Sequence, residues 1–264
     1  MLLSAAERMR WQDTGCLLLK QLQGLPSAAA LGRMAQDVSR LPDAPGSRFP
    51  WLVFHEALAD SADRGVLART ENFCLYHRGW RDVAQKVVAP VVSQLLEDYA
   101  MLFKDKINYK PPGGAGFLAH QDRTAWYAGA RGMPLYHVTA MIAVDACTPE
   151  KGCLQVATEP WLHGGDNVLP HKNGAILKDA EDKLAFTDVV LDAGDVVLFD
   201  SFVPHRAAAN TSGEWRRAVF LTYNAAKDGG WCHHKYSRLR AAAAGISANN
   251  DFAGTVFPRT RQQQ

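Results

Sequence analysis

A histidine and an aspartate stand two positions apart in Gly116-Phe117-Leu118-Ala119-His120-Gln121-Asp122. A second histidine, His205, follows much later, just past the apolar run Val196–Asp200. On an extended chain, residues two apart point to the same face, so His120 and Asp122 can reach one ion. Two histidines and one carboxylate on a single face of an octahedral ion leave three positions open, as in non-haem iron(II) oxygenases. Those positions accept a bidentate 2-oxo acid and then dioxygen. Each half of the pattern is weak alone, because His-x-Asp arises by chance and a lone loop histidine is more often a satisfied structural residue. The combination gains weight from Arg216, at the start of the next predicted strand. A planar guanidinium can fork onto the distal carboxylate of 2-oxoglutarate. Arg217 leaves a regular strand on the opposite face, so only one of the pair enters the site.

The elements that must position these residues change character along the chain. Cys16–Lys20 reads as a strand after an Asp13-Thr14-Gly15 turn. Ser27 caps a helix predicted to run to about Leu41, with Leu31, Met34 and Val38 on one face. A Pro- and Gly-rich loop, Pro42 to Pro50, follows. A second helix is predicted from Trp80 to Tyr99, which Pro90 should kink or split. Beyond Met101 the pattern is one of short strands: Phe103–Lys110, His137–Asp145, Val189–Val190, Val196–Asp200 and Arg216–Asn224. The first of these puts Lys106, Asn108 and Lys110 on one side, Ile107 and Tyr109 on the other. Pro111-Pro112-Gly113-Gly114 and Ala193-Gly194-Asp195 mark turns. Helices first and strands afterwards predict a mainly β domain, a sandwich or jelly roll with N-terminal helices against it. One domain is expected over 1–264, with 1–100 a mostly helical buttress, 101–225 the core and 226–264 a C-terminal extension.

Bulk properties narrow the function further. The 264 residues carry a net charge of +2, with no clustered basic face, so nucleic acid is not an expected partner. Lys235 to Arg240 and Arg259 to Arg261 read as solvated surface or a frayed end. No apolar run approaches the roughly eighteen residues of a membrane span, and charges in Met1 to Arg10 argue against a secretion signal. The five cysteines, Cys16, Cys74, Cys147, Cys153 and Cys232, form no CxxC pair. Free thiols in a reducing compartment, the cytoplasm, are expected.

His120-Gln121-Asp122, His205 and Arg216, with Gly152-Cys153-Leu154 and His163-Gly164 between them, resemble the phytanoyl-CoA dioxygenase-like family of 2-oxoglutarate oxygenases. The similarity runs from about Lys106 to Asn224. Lys106-Ile107-Asn108-Tyr109-Lys110 and Phe199–Arg206 look closest to the 2-aminoethylphosphonate dioxygenase-like branch, a label that says little about substrate. The resemblance implies a double-stranded β-helix of the cupin-like, jelly-roll kind. It also implies iron(II) bound by His120, Asp122 and His205, 2-oxoglutarate as co-substrate on Arg216 rather than Arg217, and dioxygen. The reaction implied is oxidation of a small molecule, hydroxylation foremost, with 2-oxoglutarate decarboxylated to succinate. Asp122 argues against a halogenase, since related halogenases lack that carboxylate. Ala207 stands where several family members have a serine that helps hold 2-oxoglutarate. Asn108, Lys106 and Thr139 are candidates to replace it, and each could equally be an ordinary polar residue on a solvated strand.

Substrate contacts are less legible. Arg123, Trp126, Tyr127 and Arg131 follow the His-x-Asp pair, either as a loop over the site or, for the aromatics, as core anchors. The two arginines hint at an anionic substrate. His137, His163 and His171 are expected not to ligate, and His233 and His234 to lie on the surface. The alternatives are a non-catalytic jelly-roll binding protein and a metal-dependent cupin that works without oxygen, neither of which has a use for Arg216.

Overall fold

The computed structural model describes residues 2–40, 51–56, 65–125, 133–134, 136–159 and 167–243. Helix α1 (Ala5–Thr14) opens the chain; Ser4 and Glu7 form a reciprocal capping box and Gly15 closes it in the left-handed region at φ 63°. The predicted Asp13-Thr14-Gly15 turn is therefore the end of a helix. Strand β1 (Cys16–Leu19) leads to α2 (Ala28–Ser39), whose first turn is capped by the Ser27 hydroxyl and which buries Leu31 and Val38. The predicted end of that helix at Leu41, and the loop after it, lie outside the described residues.

Residues 1–100 also supply strands β2 (Leu52–Glu56) and β3 (Val66–Glu71). The predicted second helix is α3 (Arg78–Asp82), a π-helical stretch over Val83–Val88 and α4 (Ala89–Leu96). The wide turn precedes Pro90, and the Ala89 N–H reaches back to the Ala84 carbonyl. A locally widened helix thus accommodates a residue with no N–H to give. Strands β4 (Ala100–Lys110) and β5 (Phe117–His120), the turn α5 (Asp122–Ala125), and strands β6 (Val138–Ala143) and β7 (Leu154–Ala157) follow. Then come the hairpin β8 (His171–Lys172) and β9 (Ala175–Ile176), α6 (Lys178–Glu181), and strands β10 (Phe186–Val189), β11 (Val196–Asp200), β12 (His205–Ala207) and β13 (Arg216–Ala225). Helix α7 (His233–Ala243) ends the described chain.

Two antiparallel sheets face each other, one of seven strands ordered β1-β11-β6-β13-β4-β3-β2 and one of four ordered β10-β7-β12-β5. This is a jelly-roll barrel of the cupin-like kind, as expected. Alternation sorts the large sheet's side chains. Ile107, Tyr109, Val138, Ala140, Ile142, Val219 and Leu221 face outward and pack on Leu31, Ala35, Trp80, Val88 and Val92 of the helices. Met141, Ala143, Val197, Phe199, Ala218 and Phe220 face inward and meet Leu154 and Val156 of the small sheet. A full aliphatic burial contributes roughly 1.5–3 kcal/mol, so the helical layer anchors the large sheet and leaves the inner face for chemistry.

Helix α7 covers part of the barrel. His233 is buried and its Nε2 lies 2.6 Å from Asp105 Oδ1, so the surface reading of this residue is corrected. The expected surface stretch Lys235 to Arg240 is a helix that leaves Lys235 and Arg238 exposed while Tyr236 is buried and Arg240 reaches Glu71 at 3.5 Å. Register slips between Thr222 and Tyr223 leave Phe103 outside the β4–β13 pairing. Its ring packs on Tyr236 of α7 at 4.7 Å.

Candidate metal centre

His120 ends β5 and His205 begins β12, and the two are direct cross-strand partners, with ring centroids 4.1 Å apart. His205 is thus a strand residue rather than the loop residue its sequence position implied. Asp122 is reached differently from the expected extended pair: after Gln121 the chain turns, and Asp122 opens α5. Its Oδ1 lies 3.8 Å from the Nε2 of each histidine. One ligand atom from each of the three falls within 4.8 Å of the others, the one such group among the described residues. Ligand bonds of about 2.0–2.2 Å bring donor atoms roughly 3–4 Å apart, so small side-chain movements close this set on an ion.

The protonation pattern fits a metal. The Nδ1 of His120 faces the Leu118 carbonyl at 2.7 Å and that of His205 faces the Val203 carbonyl at 3.0 Å. Each Nδ1–H donates to its carbonyl, which leaves the Nε2 lone pair aimed at Asp122. Burial, then His205 nearby, brings the His120 ring down to about 3, and burial likewise lowers His205. Burial alone would raise Asp122, but His205, Lys106 and His120 outweigh it and keep the carboxylate charged. The second oxygen of Asp122 accepts from the Thr139 hydroxyl at 3.4 Å, and Thr139 lies 3.0 Å from Thr222.

Two residues that sequence reasoning passed over hold the three donors in place. Gln121 is fully buried between them; its amide donates to the Phe202 carbonyl at 2.6 Å and the Asn167 carbonyl at 2.8 Å, and accepts from Leu169 N at 2.8 Å. Asp200 accepts from the N–H groups of Phe202 and Val203, which shapes the turn into His205. Gln121 stood in view inside the motif, but nothing local shows that its partners lie in distant loops.

The inner face of the large sheet forms a ladder beside this cluster. Its first rung is Lys110–Arg216, its second Arg69–Asn108–Ala218, its third Glu71–Lys106–Phe220–Met141 and its fourth Lys104–Thr222–Thr139–Phe199. Arg216 is 2% exposed; its Nη2 donates to the Gly152 carbonyl at 2.7 Å while its Nε has no partner. Lys110 donates to that same carbonyl at 3.2 Å and to the Ala208 carbonyl. The buried Oδ1 of Asn108 is unpartnered too. The orphaned Arg216 Nε, a buried donor on the ladder that ends at the three-donor cluster, fits a bound dicarboxylate better than an empty core. Arg217 faces outward, forked onto Asp145 by two bonds of 2.8 Å and reaching Gly32 of α2. The Lys106 ammonium sits 4.5 Å from the Phe220 ring.

The remaining candidates scatter. Arg123 lies on α5, half-buried, while Trp126, Tyr127, Arg131 and His163 fall outside the described residues. His137 is buried against Phe103 and His171 is exposed on β8, neither in the cluster. All five cysteines are free thiols. No helix among the described residues is long and apolar enough to cross a membrane.

A jelly roll that gathers two histidines and a carboxylate between its sheets is the framework of a non-haem iron(II) oxygenase, and the chain's relatives are of that class. The phytanoyl-CoA dioxygenase (PhyH) family model matches residues 11–218. The chain is 37% identical over 227 residues to a 2-aminoethylphosphonate dioxygenase from an uncultured bacterium (HF130_AEPn_1), covering 84% of this chain and 82% of the relative. It is 34% identical over 239 residues to a methylphosphonate hydroxylase of Gimesia maris, covering 90% and 86%. Among solved structures, EctD from S. alaskensis with 2-oxoglutarate and 5-hydroxyectoine superposes with a TM-score of 0.70 at 18% identity, over 97% of this chain and 88% of that one. The carbocyclase SnoK from nogalamycin biosynthesis gives 0.65 at 18%, over 85% of each. The chain belongs to the phytanoyl-CoA dioxygenase family. It is an iron(II)- and 2-oxoglutarate-dependent dioxygenase that oxidises a small molecule.

Proposed function

We propose that this enzyme hydroxylates a small organophosphonate, with His120, Asp122 and His205 as the iron ligands and Arg216 as the anchor of 2-oxoglutarate. The observation that carries this reading is the buried Arg216 guanidinium, with an orphaned Nε, on the inner face that also holds the three-donor cluster. Two relatives named for phosphonates, at 37% and 34% identity, support the substrate class.

Iron(II) with 2-oxoglutarate and dioxygen supplies the oxidation, which removes a substrate hydrogen and leaves succinate and carbon dioxide. The chain's own residues bind, orient and exclude water. The two Nε2 atoms and Asp122 Oδ1 would hold the ion, and Thr139 occupies the other carboxylate oxygen so that it does not swing away. Arg216 receives the distal carboxylate, with Lys110 at the same carbonyl anchor. Asn108 and Lys106, on the rungs between Arg216 and the cluster, line the co-substrate's length in place of the serine that Ala207 lacks. Phe199, Val203 and Phe220 keep that channel dry. Five buried or half-buried thiols support a reducing compartment, the cytoplasm.

The test is succinate formation from 2-oxoglutarate with iron(II) under air, with and without 2-aminoethylphosphonate or methylphosphonate. Phosphonate-stimulated succinate release, abolished in His205→Ala, is the expected result. No succinate under any condition would sink the reading in favour of a binding protein or a non-oxidative cupin.

A further inference from the structure

The two oxygens of Asp122 have different surroundings. Oδ1 faces both histidines, 3.8 Å from each Nε2, while Oδ2 accepts from the Thr139 hydroxyl at 3.4 Å. Behind Thr139 stands Thr222, its direct cross-strand partner on β13, with the two hydroxyls 3.0 Å apart. Both threonines are buried, and among the described residues the Thr222 hydroxyl bonds to Thr139 alone. Valine has almost the same shape and suits a dry sheet interior better. Two buried hydroxyls with only each other and one carboxylate to bond therefore mark a polar task rather than packing.

The direction of each bond follows from the chemistry at its end. A carboxylate that binds a metal is ionised and only accepts, so Thr139 donates to Asp122. The Thr139 oxygen is then free to accept, and Thr222 donates to it. Each O–H group polarises the next, so the Thr222 hydroxyl strengthens a Thr139–Asp122 bond that is long at 3.4 Å.

We infer that Thr222, acting through Thr139, keeps Asp122 to one oxygen on the iron and so preserves the coordination position that dioxygen needs. This rests on His120, Asp122 and His205 as the iron ligands. Two histidines and one carboxylate oxygen leave three positions open on an octahedral ion. A bidentate 2-oxo acid takes two of them, and a carboxylate that turned its second oxygen onto the ion would fill the last. Oδ2 is the atom that would have to turn, and the Thr139 hydroxyl holds it. Both threonines are positioning residues, because they act through Asp122.

The experiment titrates the iron(II) protein, with 2-oxoglutarate bound and air excluded, with nitric oxide in place of dioxygen. Electron paramagnetic resonance of the iron–nitrosyl adduct reports occupancy of the open position. Thr139→Val should weaken nitric oxide binding on the order of 10- to 100-fold and Thr222→Val about 3- to 10-fold. The double variant should be no weaker than Thr139→Val, since Thr222 reaches Asp122 only through Thr139. Thr139→Ser and Thr222→Ser should match wild type. Iron(II) affinity should stay within about threefold in every variant, because the second carboxylate oxygen replaces the lost hydrogen bond.

Wild-type nitric oxide binding in either valine variant overturns the inference, so Thr222→Val carries the test even if Thr139→Val does not fold. So does a double variant weaker than Thr139→Val, which would give Thr222 a separate route. Iron(II) affinity that falls in step with nitric oxide overturns it as well, because the pair would then be a strut for the whole ligand. A wild type that takes iron(II) and 2-oxoglutarate but no nitric oxide overturns this inference alone; one that takes no iron(II) overturns the ligand assignment with it.

Discussion

Arg217 forks onto Asp145 and touches the carbonyl of Gly32, while Arg216, one residue earlier, points between the sheets with one bond to Gly152. The pair makes a sharp test of the strand's alternation. Arg216→Gln should raise the 2-oxoglutarate dissociation constant on the order of 30-fold or more while metal binding persists, since a buried charge partner is lost. Arg217→Gln should leave that constant alone and cost about 1–3 kcal/mol of stability, the worth of hydrogen bonds to a charged group. Titration and urea unfolding of both variants separate the two roles, and the opposite pattern would invert the register. Gln121 offers a second test. Leucine there strands two carbonyls and an N–H in loops beside both histidines, so manganese(II) affinity should fall roughly 10- to 100-fold, as for other groups that orient metal ligands. Unchanged affinity would reduce Gln121 to packing. The three-donor cluster and the inward Arg216 were legible because their chemistry is tied to residue type. Gln121 and His233 were not, because their contacts exist only through partners far away in sequence.

Element by element, legibility followed how much of a segment's burial is apolar. β11 was readable to the residue as Val196–Asp200 because all five positions are buried. β3 was not, because Val66–Glu71 buries an ion pair on one face and its apolar residues on the other, which erases the alternation. Helix α1 was missed for a related reason: only Trp11 of its ten residues is buried, so no apolar stripe exists. Its Ser4–Glu7 box and Gly15 stop were the signals available. Glu71 also gives the contact between β3 and α7 a pH signature. Burial pushes its carboxyl up, but Arg69, Lys104 and Arg240 outweigh that and bring it from 4.5 down to about 2. A depressed folded value means the ionised group stabilises the native state above about pH 4.5, and this contribution is lost as pH falls toward 2. The stability gap between wild type and Glu71→Gln should therefore be widest near pH 6 and close through that window. A gap independent of pH in urea titrations would show that Glu71 is not a buried ion-pair partner.

At the scale of the whole molecule, β1 and β11 pair across most of the chain and β12 pairs with β5 to bring the histidines together. Nothing within a single segment holds the three donors near one another; only the closed barrel does. A metal that binds this arrangement and not the unfolded chain must stabilise the whole fold. At about 100 times its dissociation constant an ion adds about 2.7 kcal/mol, which for a chain of this size raises the melting temperature by roughly 5–10 °C. Manganese(II) should produce that shift in wild type, a chelator should reverse it, and His205→Ala should not respond.

Gly152 makes the last link between site and cell. Its φ is +62°, and a Cβ there would come within 2.3 Å of the Ala208 carbonyl, so the backbone alone can occupy the position. The carbonyl it presents gives Arg216 and Lys110 a neutral partner before any dicarboxylate arrives. With Arg216 as the proposed anchor, the chain would fold first and receive 2-oxoglutarate afterwards, its guanidinium held meanwhile by a carbonyl dipole. Such a protein opens more often when its co-substrate is scarce, and proteases act on the opened form. Pulse proteolysis should show slower loss of the intact chain as 2-oxoglutarate is raised, and no such protection in Arg216→Gln.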